Sequence, residues 1–346
     1  MKKKILALIL ACAMILALAA CSGSANTEQP AAENTASDAA EAPAASEETA
    51  ASAEGKTYTV GVCQLVQHEA LDAATQGFCD ALTEALGDAV TIDVQNASGD
   101  SVNCGTIVNG FVSKNVDLIM ANATPALTAA ASATADIPIL GTSITAYGVA
   151  LDIADFSGTV GGNISGTSDL ADLSAQAQMI LDWFPETQKV GLLFCSAEPN
   201  SRYQIEEVAK YLSDKGVETE EFAFTDTNDV ASVTQSAADY SDVVYIPTDN
   251  TAAANTEAIG NVLIPAGVPA ICGEEGICRG CGVATLSISY YDLGVTTGKM
   301  AAKILTGEAN ISEMPVEFTD ATPKYNPSVC EQLGITPLEG YEAIEG

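Results

Sequence analysis

Six short segments of this 346-residue chain combine hydroxyl, amide and carboxylate side chains and contain no lysine. They are residues 64–68, 122–125, 141–145, 196–201, 248–250 and 273–276. Each follows a predicted strand and adjoins the start of a predicted helix, where free backbone N–H groups and the helix dipole favour a carboxylate. We therefore expect the six segments to bind a small molecule together, although each side chain taken alone also suits a helix cap.

Alternating strands and helices must position these segments. The predicted strands are residues 58–64, 90–94, 117–121, 137–140, 190–195, 218–224, 243–246 and 270–272. The predicted helices are residues 68–86, 101–114, 170–184, 201–215, 230–238 and 292–305, and two more begin near residues 124 and 250. This alternation, which restarts in the second half, predicts two doubly wound α/β domains with parallel sheets. In such sheets ligands bind beyond the carboxyl ends of the strands, where the six segments lie.

The first 55 residues differ from the rest in composition. Lysines at 2–4 precede an uncharged apolar run at 5–20, which has the length of a signal peptide and is short for a membrane span. Ala20-Cys21 resembles the bacterial lipobox, whose cysteine is lipidated; the alternative is a plain cleavage site with Cys21 incidental. Residues 21–55 carry almost no large apolar side chain, so we expect a lipid-anchored disordered linker after a signal peptide at 1–20.

The charge balance excludes several classes of partner. The chain has 46 acidic and 13 basic residues, which repels nucleic acid. Arg202 and Arg279 are the only arginines, so clamps for a polyphosphate are scarce. The length that remains after the linker suits two ordinary domains.

The chain has ten cysteines and one histidine, the residue types that most often bind metals or act as nucleophile and base. Cys272, Cys278 and Cys281 lie close together, but no second C-x-x-C or nearby histidine completes a zinc site, so we expect free thiols or one disulfide and no metal. The motif G-x-S-x-G does not occur, and no nucleophile pairs with His68 in the sequence. We expect neither an enzyme nor a cofactor.

Several blocks of sequence resemble one protein family. The blocks are QLVQH at 64–68, ALDAA at 70–74, QGF at 76–78, GNISGTSD at 162–169, SAEPNS at 196–201, IPTDNT at 246–251, GEEG at 273–276, SYYDLG at 289–294 and TG at 297–298. In this order they resemble the ABC-transporter substrate-binding lipoproteins of the tryptophan/tyrosine type, over residues 58 to 335. The chain departs from the family pattern after Thr145, where Ala146-Tyr147-Gly148 replaces an Asp-Pro.

The resemblance implies a type I periplasmic-binding-protein fold, in which two α/β lobes joined by a multi-crossing hinge close on a ligand. It places residues 56–167 with 290–320 in one lobe, and 168–289 with 321–346 in the other. It implies an aromatic amino acid as ligand, Tyr, Trp or Phe. Another amino acid, or another small organic solute, stays open as the alternative.

An amino acid needs partners for a carboxylate and an ammonium. For the carboxylate we expect hydroxyl and amide groups of Thr124, Thr142, Ser143, Thr145, Ser196 and Asn200. For the ammonium we expect Asp249, with Asn250 beside it and Glu274 or Glu275 as the alternative. On this hypothesis Asp249→Ala abolishes binding; the other interpretation is that Asp249 caps a helix.

Gln64, His68 and aromatic side chains complete the expected site. His68 either lies in the cleft, or caps the first helix or faces solvent. The candidate aromatic walls are Tyr147, Tyr203, Tyr290 and Phe156, and Tyr290 or Tyr291 also suits a hinge.

The partners implied by the resemblance are an ABC permease and its ATPase, and the membrane through the lipid at Cys21. The protein is expected outside the cytoplasm and as a monomer. A ligand-binding sensor with the same fold is the alternative to a transport component.

Overall fold

The computed structural model describes residues 55–345 of the chain. The predicted signal peptide, Cys21 and the predicted linker up to residue 54 lie outside the described residues. Between residues 55 and 345, no helix is both long and apolar enough to cross a membrane.

The strands and helices alternate along most of the described chain. The strands are Tyr58–Gln64 (β1), Val90–Asn96 (β2), Leu118–Asn122 (β3), Ile139–Ile144 (β4), Ile164–Ser168 (β5), Lys189–Cys195 (β6), Glu218–Phe224 (β7), Val243–Ile246 (β8), Ala270–Cys272 (β9), Ala284–Ile288 (β10), Glu317–Phe318 (β11), Ala321–Tyr325 (β12) and Glu342–Ala343 (β13). The α-helices are Glu69–Leu86 (α1), Ser101–Lys114 (α2), Thr124–Ala133 (α3), Tyr147–Ala150 (α4), Leu173–Trp183 (α5), Pro199–Asp214 (α6), Val230–Tyr240 (α7), Asn250–Ala253 (α8), Thr256–Ala266 (α9), Glu275–Cys281 (α10), Tyr290–Thr306 (α11) and Pro327–Leu333 (α12).

These strands form two sheets. The first sheet has the order β11-β5-β4-β3-β1-β2, and all its pairs are parallel. The second has the order β13-β12-β10-β9-β8-β6-β7, with β12 antiparallel to β10. Both centre on the doubly wound order 2-1-3-4-5, so the predicted architecture of two α/β domains is confirmed, apart from that antiparallel pair. We call the units built on the two sheets the first and the second lobe.

Apolar side chains fill both faces of each sheet. In the first lobe one cluster contains Val60, Val62 and Phe78, and the other contains Phe111 and Leu127. Because strands of a parallel sheet are covered on both faces, β3 and β4 are buried along their whole length. This burial explains why their apolar runs predict strands from the sequence.

The chain passes between the two sheets three times: after β5, after β10 and after β11. After β10 it enters α11, whose backbone lies directly against that of α1. A Cβ atom at Gly294 would lie 2.0 Å from the Ala74 carbonyl oxygen, and one at Gly77 would lie 2.1 Å from that of Tyr291. This contact needs glycine at both positions, and it sets the start of α11 beside the start of α1.

One buried strand of the first sheet was not predicted from the sequence. Strand β5 has the sequence ISGTS, in which small hydroxyl residues replace the apolar run expected of a central strand. The Ser165 hydroxyl donates to the carbonyl oxygens of Met314 and Pro315, and the Thr167 hydroxyl bonds to Thr297 at 2.9 Å. These partners satisfy the buried hydroxyls, so a polar sequence forms a core strand.

Candidate functional site

A small cavity lies between the two lobes, at the carboxyl ends of their strands. Its volume is about 10 Å³, roughly the room of one water molecule. The residues around it are His68, Leu71, Ser143, Thr145, Asp169, Asn200, Thr248, Asp249, Asn250, Ala253, Glu274 and Tyr290. Both sheets have their switch in strand order near this point, at β1–β3 and at β6–β8, where doubly wound folds bind ligands.

Eight of the twelve predicted ligand residues line this cavity. They are His68, Ser143, Thr145, Asn200, Asp249, Asn250, Glu274 and Tyr290. Seven of them come from five of the six predicted segments, all except residues 122–125, and Tyr290 lies outside these segments. The remaining four, Gln64, Thr124, Thr142 and Ser196, lie elsewhere.

These four side chains have other surroundings. Gln64 donates to Asp72 Oδ1 at 2.6 Å and accepts from the Thr75 hydroxyl. Thr142 bonds to Thr167 and Thr297 beneath the first sheet. Thr124 is buried at the start of α3, and the exposed Ser196 donates to the Phe224 carbonyl. Their role in ligand binding stays a prediction.

The two carboxylates predicted to face the ligand are bonded to helix backbones. Asp249 accepts from the backbone N–H groups of Cys195 at 2.6 Å and Ala252 at 2.7 Å, one on each oxygen. Glu274 accepts from those of Gly276 and Ile277. Both carboxylates are N-caps, of α8 and of α10. Burial raises the pKa of Asp249, and raises that of Glu274 to about 7.

Glu198 is a third buried carboxylate close to the cavity. It accepts from the backbone N–H groups of Asn250 and Thr251 and from both of their side chains. It also accepts from the Asn200 amide at 3.2 Å. Glu198 therefore holds the start of α8 and orients Asn200 in the second lobe.

Asp169 lines the cavity and was not among the predicted ligand residues. It directly follows β5, and its backbone N–H donates to the Ile144 carbonyl. Its Oδ2 accepts from the Tyr290 hydroxyl at 2.9 Å, while Oδ1 is buried without any partner. Burial raises the pKa of Asp169 to about 6, against the hydrogen bond from Tyr290 and a weaker interaction with the Thr145 side chain. The unrecognised strand β5 hid this residue; the signal was its place at the end of the GNISGTSD block.

Three further polar atoms around the cavity are buried without partners: His68 Nδ1, Ser143 Oγ and Asn200 Oδ1. The His68 Nε2 atom lies 3.3 Å from Asn250 Oδ1. The nitrogen of the same side-chain amide donates to Glu198, so Oδ1 is the amide oxygen, which can only accept a hydrogen bond. Nε2 therefore carries a proton. Burial lowers the pKa of His68, so the neutral ring leaves Nδ1 as an acceptor. Unpaired buried polar atoms are costly, so this set indicates groups that meet a ligand.

Ser143 owes its position to an irregular strand. The register of β4 against β5 shifts between Gly141 and Ile144, and Ser143 has φ of 55°. Such a bulge re-aims a side chain, and its left-handed backbone is strained for a residue other than glycine. Here it directs the Ser143 hydroxyl, which a regular strand would place elsewhere, to the cavity.

Contacts across the cleft join the start of α1 to the second lobe. Besides the contact of His68 with Asn250, Glu69 Oε1 lies 3.0 Å from an Arg279 nitrogen. Arg279 also pairs with Glu275 in its own helix, at 2.8 Å. Helix α4 of the first lobe packs against α6 of the second. The lobes are therefore in contact around the cavity.

The aromatic candidates divide between the cavity and its surroundings. Tyr290 lines the cavity itself. Tyr147 is buried, and its hydroxyl lies 3.1 Å from each of two carbonyl oxygens in the first lobe. Phe156 stacks on Tyr147, and Tyr203 is half-buried on α6.

The eight cysteines at residues 55–345 are free thiols. Cys272 of β9 and Cys278 and Cys281 of α10 are buried in one cluster with residues of α9, and burial raises the pKa of Cys272. In this part of the chain no three His, Cys, Asp or Glu side chains form a group that could hold a metal ion.

Comparisons with known proteins agree with the geometry. The family model for ABC transporter substrate binding proteins matches residues 59–341. The tyrosine-binding protein of Clostridioides difficile (strain R20291) is 33% identical over 270 residues, which cover 77% of this chain and 78% of that protein. Type I periplasmic binding proteins share the fold, among them a myo-inositol-bound protein of Bacillus halodurans at 16% identity and TM-score 0.60, covering 82% of this chain and 99% of that one.

Two solved structures of similar identity differ in how well they superpose. One is the complex of an ABC domain with L-Trp from Streptococcus pneumoniae, which is 31% identical with a TM-score of 0.79 and covers 84% of this chain and 100% of that one. The other is a ligand-free, open substrate-binding protein of Clostridium difficile, 32% identical with a TM-score of 0.64 and covering 84% and 99%. The present structure therefore superposes better on the complex than on the open protein. The chain belongs to the family of ABC transporter substrate-binding proteins.

Proposed function

We propose that this protein captures an aromatic L-amino acid between its lobes and delivers it to an ABC permease. The observation that carries the proposal is the set of unpaired polar atoms in the closed cavity, above all Asp169 Oδ1. An ammonium group supplies three donors, and Asp169 Oδ1, Asn200 Oδ1 and His68 Nδ1 are three unpaired acceptors.

The choice of Asp169 for the ammonium follows from the contacts of the other carboxylates. Asp249 and Glu274 each use both oxygens on backbone N–H groups, whereas Asp169 has one oxygen left. No lysine or arginine lines this cavity, so none can serve there as the cationic partner of Asp169. A buried charged group needs such a partner, and the ammonium of a ligand can supply it. We therefore assign the ammonium to Asp169 in place of Asp249.

The carboxylate of the ligand is assigned to the hydroxyls of Ser143 and Thr145. Ser143 Oγ has no partner of its own, so it can donate without losing an internal bond. Thr145 is buried two residues away on the same side of the cavity. The aromatic side chain is supported by the relatives, which are named for tyrosine or solved with L-Trp.

Closure couples binding to delivery. Ligand groups held by Asp169 and Ser143 in the first lobe and by Asn200 in the second favour the closed arrangement, since only there do both lobes touch the ligand. We further propose that Cys21 carries a lipid that keeps the protein at the outer face of the membrane. A tether of this kind raises the local concentration at the permease.

Calorimetry on the mature protein tests the proposal. L-Tyr, L-Trp and L-Phe are titrated beside two blocked analogues of tyrosine: N-acetyl-L-tyrosine, which lacks the ammonium, and tyramine, which lacks the carboxylate. We expect binding of at least one aromatic amino acid and at least 100-fold weaker binding of both analogues, about 3 kcal/mol for a lost charged contact. Equal binding of tyrosine and N-acetyl-L-tyrosine would contradict the proposed head-group site.

Lipidation and delivery are tested separately. Cells that express the wild-type protein or Cys21→Ala are labelled with a fatty-acid analogue, and label on the wild type alone is expected. Uptake of the labelled amino acid by cells that lack the protein is then compared with uptake by complemented cells. Unchanged uptake would favour a sensor over a transport component.

A further inference from the structure

We infer that the side chain of the bound amino acid lies in the apolar groove between α4 and α6, an inference that rests on the proposed function. This α4–α6 groove is lined by Thr145, Val149, Phe156, Leu170, Tyr203 and Phe318, among others. Tyr203 comes from the second lobe, and α4 and β11 from the first. The groove therefore lies across the cleft, beside the cavity.

The cavity and the groove differ greatly in volume, so the head group and the side chain of the ligand fit in different places. The cavity measures about 10 Å³, whereas the groove measures about 650 Å³, within the usual range of roughly 300–1,000 Å³ for ligand pockets. The head group alone already requires the lobes to part slightly. A ring in the same place would part them much further and would break the contact of His68 with Asn250.

The groove adjoins the head-group site. Thr145 lines both the cavity and the groove. Ser168 and Leu170, the two neighbours of Asp169, also line the groove. A ligand whose ammonium meets Asp169 therefore has the groove directly beside its α-carbon.

A second groove on the other side of the cavity offers the contrast. It shares Asn250 with the cavity and carries Asp100, Glu198 and Asp226 among mostly polar side chains. An aromatic ring gains little from such a lining and would separate carboxylates from water. Of the two grooves, the α4–α6 groove suits an aromatic side chain.

Exposure of apolar side chains gives independent support. Val149 is 44% exposed and Phe318 is 60% exposed, and both lie in the α4–α6 groove. They are two of the five large apolar side chains that are exposed between residues 55 and 345. A ring in the groove would cover this apolar surface and touch Tyr203 of the second lobe, which adds to closure.

The test blocks the groove and leaves the head-group site intact. Val149→Trp fills the α4–α6 groove from an exposed position, and Asn228→Trp is the matched control in the polar groove. L-Trp, L-Tyr and L-Phe are titrated into wild type and both variants by calorimetry, after circular dichroism and thermal unfolding have shown that each variant folds. We expect Val149→Trp to weaken the best ligand at least tenfold and Asn228→Trp to change it less than twofold.

The outcomes separate this inference from the proposed function. If the wild type binds an aromatic amino acid and Val149→Trp binds it equally well, the inference is wrong and the proposed function stands. If Asn228→Trp alone weakens binding, the side chain lies in the polar groove. If the wild type binds no aromatic amino acid, both proposals fail. Should Val149→Trp not fold, Tyr203→Ala replaces it, with at least fivefold weaker binding expected and unchanged affinity overturning the inference.

Discussion

The two lobes present their polar side chains to the cleft in different ways. The first lobe presents atoms that lack partners: His68 Nδ1, Ser143 Oγ and Asp169 Oδ1. The second lobe presents carboxylates, Asp249 and Glu274, that already hold its own helix starts. Of its side chains at the cavity, only Asn200 has an unpaired buried atom.

This difference teaches that a carboxylate in a cleft is not by itself a ligand partner. Asp249 and Glu274 are buried because they satisfy backbone N–H groups of short helices, a need internal to the lobe. Asp169 has an oxygen that nothing in the protein satisfies. We therefore expect a ligand to bind first on the first lobe, and the second lobe to close over it.

Asp169→Asn should show the largest effect on binding, because it removes the one carboxylate that the first lobe leaves available for a ligand. Removing one member of a buried charge pair costs about 3–5 kcal/mol, so affinity for the amino acid should fall at least 100-fold by calorimetry. Because burial penalises the carboxylate in the free protein, the melting temperature without ligand should not fall. Unchanged affinity would instead favour Asp249 as the partner of the ammonium.

Asp249→Ala should have its main effect on stability. It leaves the buried N–H groups of Cys195 and Ala252 without an acceptor, which costs about 2–3 kcal/mol in the free energy of unfolding. Denaturant titration of the free protein measures this loss. Full stability combined with lost binding would instead support the original assignment of Asp249 to the ammonium.

The pH dependence of stability and of binding should run in opposite directions. Burial raises the pKa of Asp169 to about 6 and that of Glu274 to about 7, so the folded protein binds protons that the unfolded chain has released. Their contribution to stability is therefore present at low pH and is lost as the pH rises through these values. Binding of an ammonium needs ionised Asp169, so affinity should fall below about pH 6, by up to tenfold per unit.

Thermal unfolding and calorimetry between about pH 5 and 8 measure both trends. In Asp169→Asn the fall in affinity at low pH should disappear. A fall that persists in this variant would show that another group controls the binding.

Glu69→Gln should have the smallest effect on affinity, and it tests a contact between the lobes at the edge of the cleft. The pair of Glu69 with Arg279 joins the lobes but is partly exposed to water, and exposed pairs contribute about 0.2–1 kcal/mol. Affinity should fall by about 1.5- to 5-fold, and the difference should shrink in high salt. Lys114, which pairs with Asp93 inside the first lobe, offers the control: Lys114→Gln should leave affinity unchanged.

The parts of the site that could be predicted are those that follow strands with a clear apolar run in the sequence. Strands such as β3 and β6 have continuous apolar runs, and the loops after them, with their polar side chains, could be located from the sequence. Strand β5 lacks such a run because its hydroxyls are satisfied by distant partners, among them Thr297 and the backbone at Met314. Asp169, at the end of β5, was missed for that reason.

The sequence by itself determined the doubly wound α/β architecture, the acidic charge and five of the segments that line the cavity. These follow from periodicity and composition, which are local properties of the chain. Only the tertiary structure decided which polar atoms are left over for a ligand. Whether a buried carboxylate is free depends on the N–H groups that fold against it, and those lie up to 54 residues away, as Asp249 and Cys195 demonstrate.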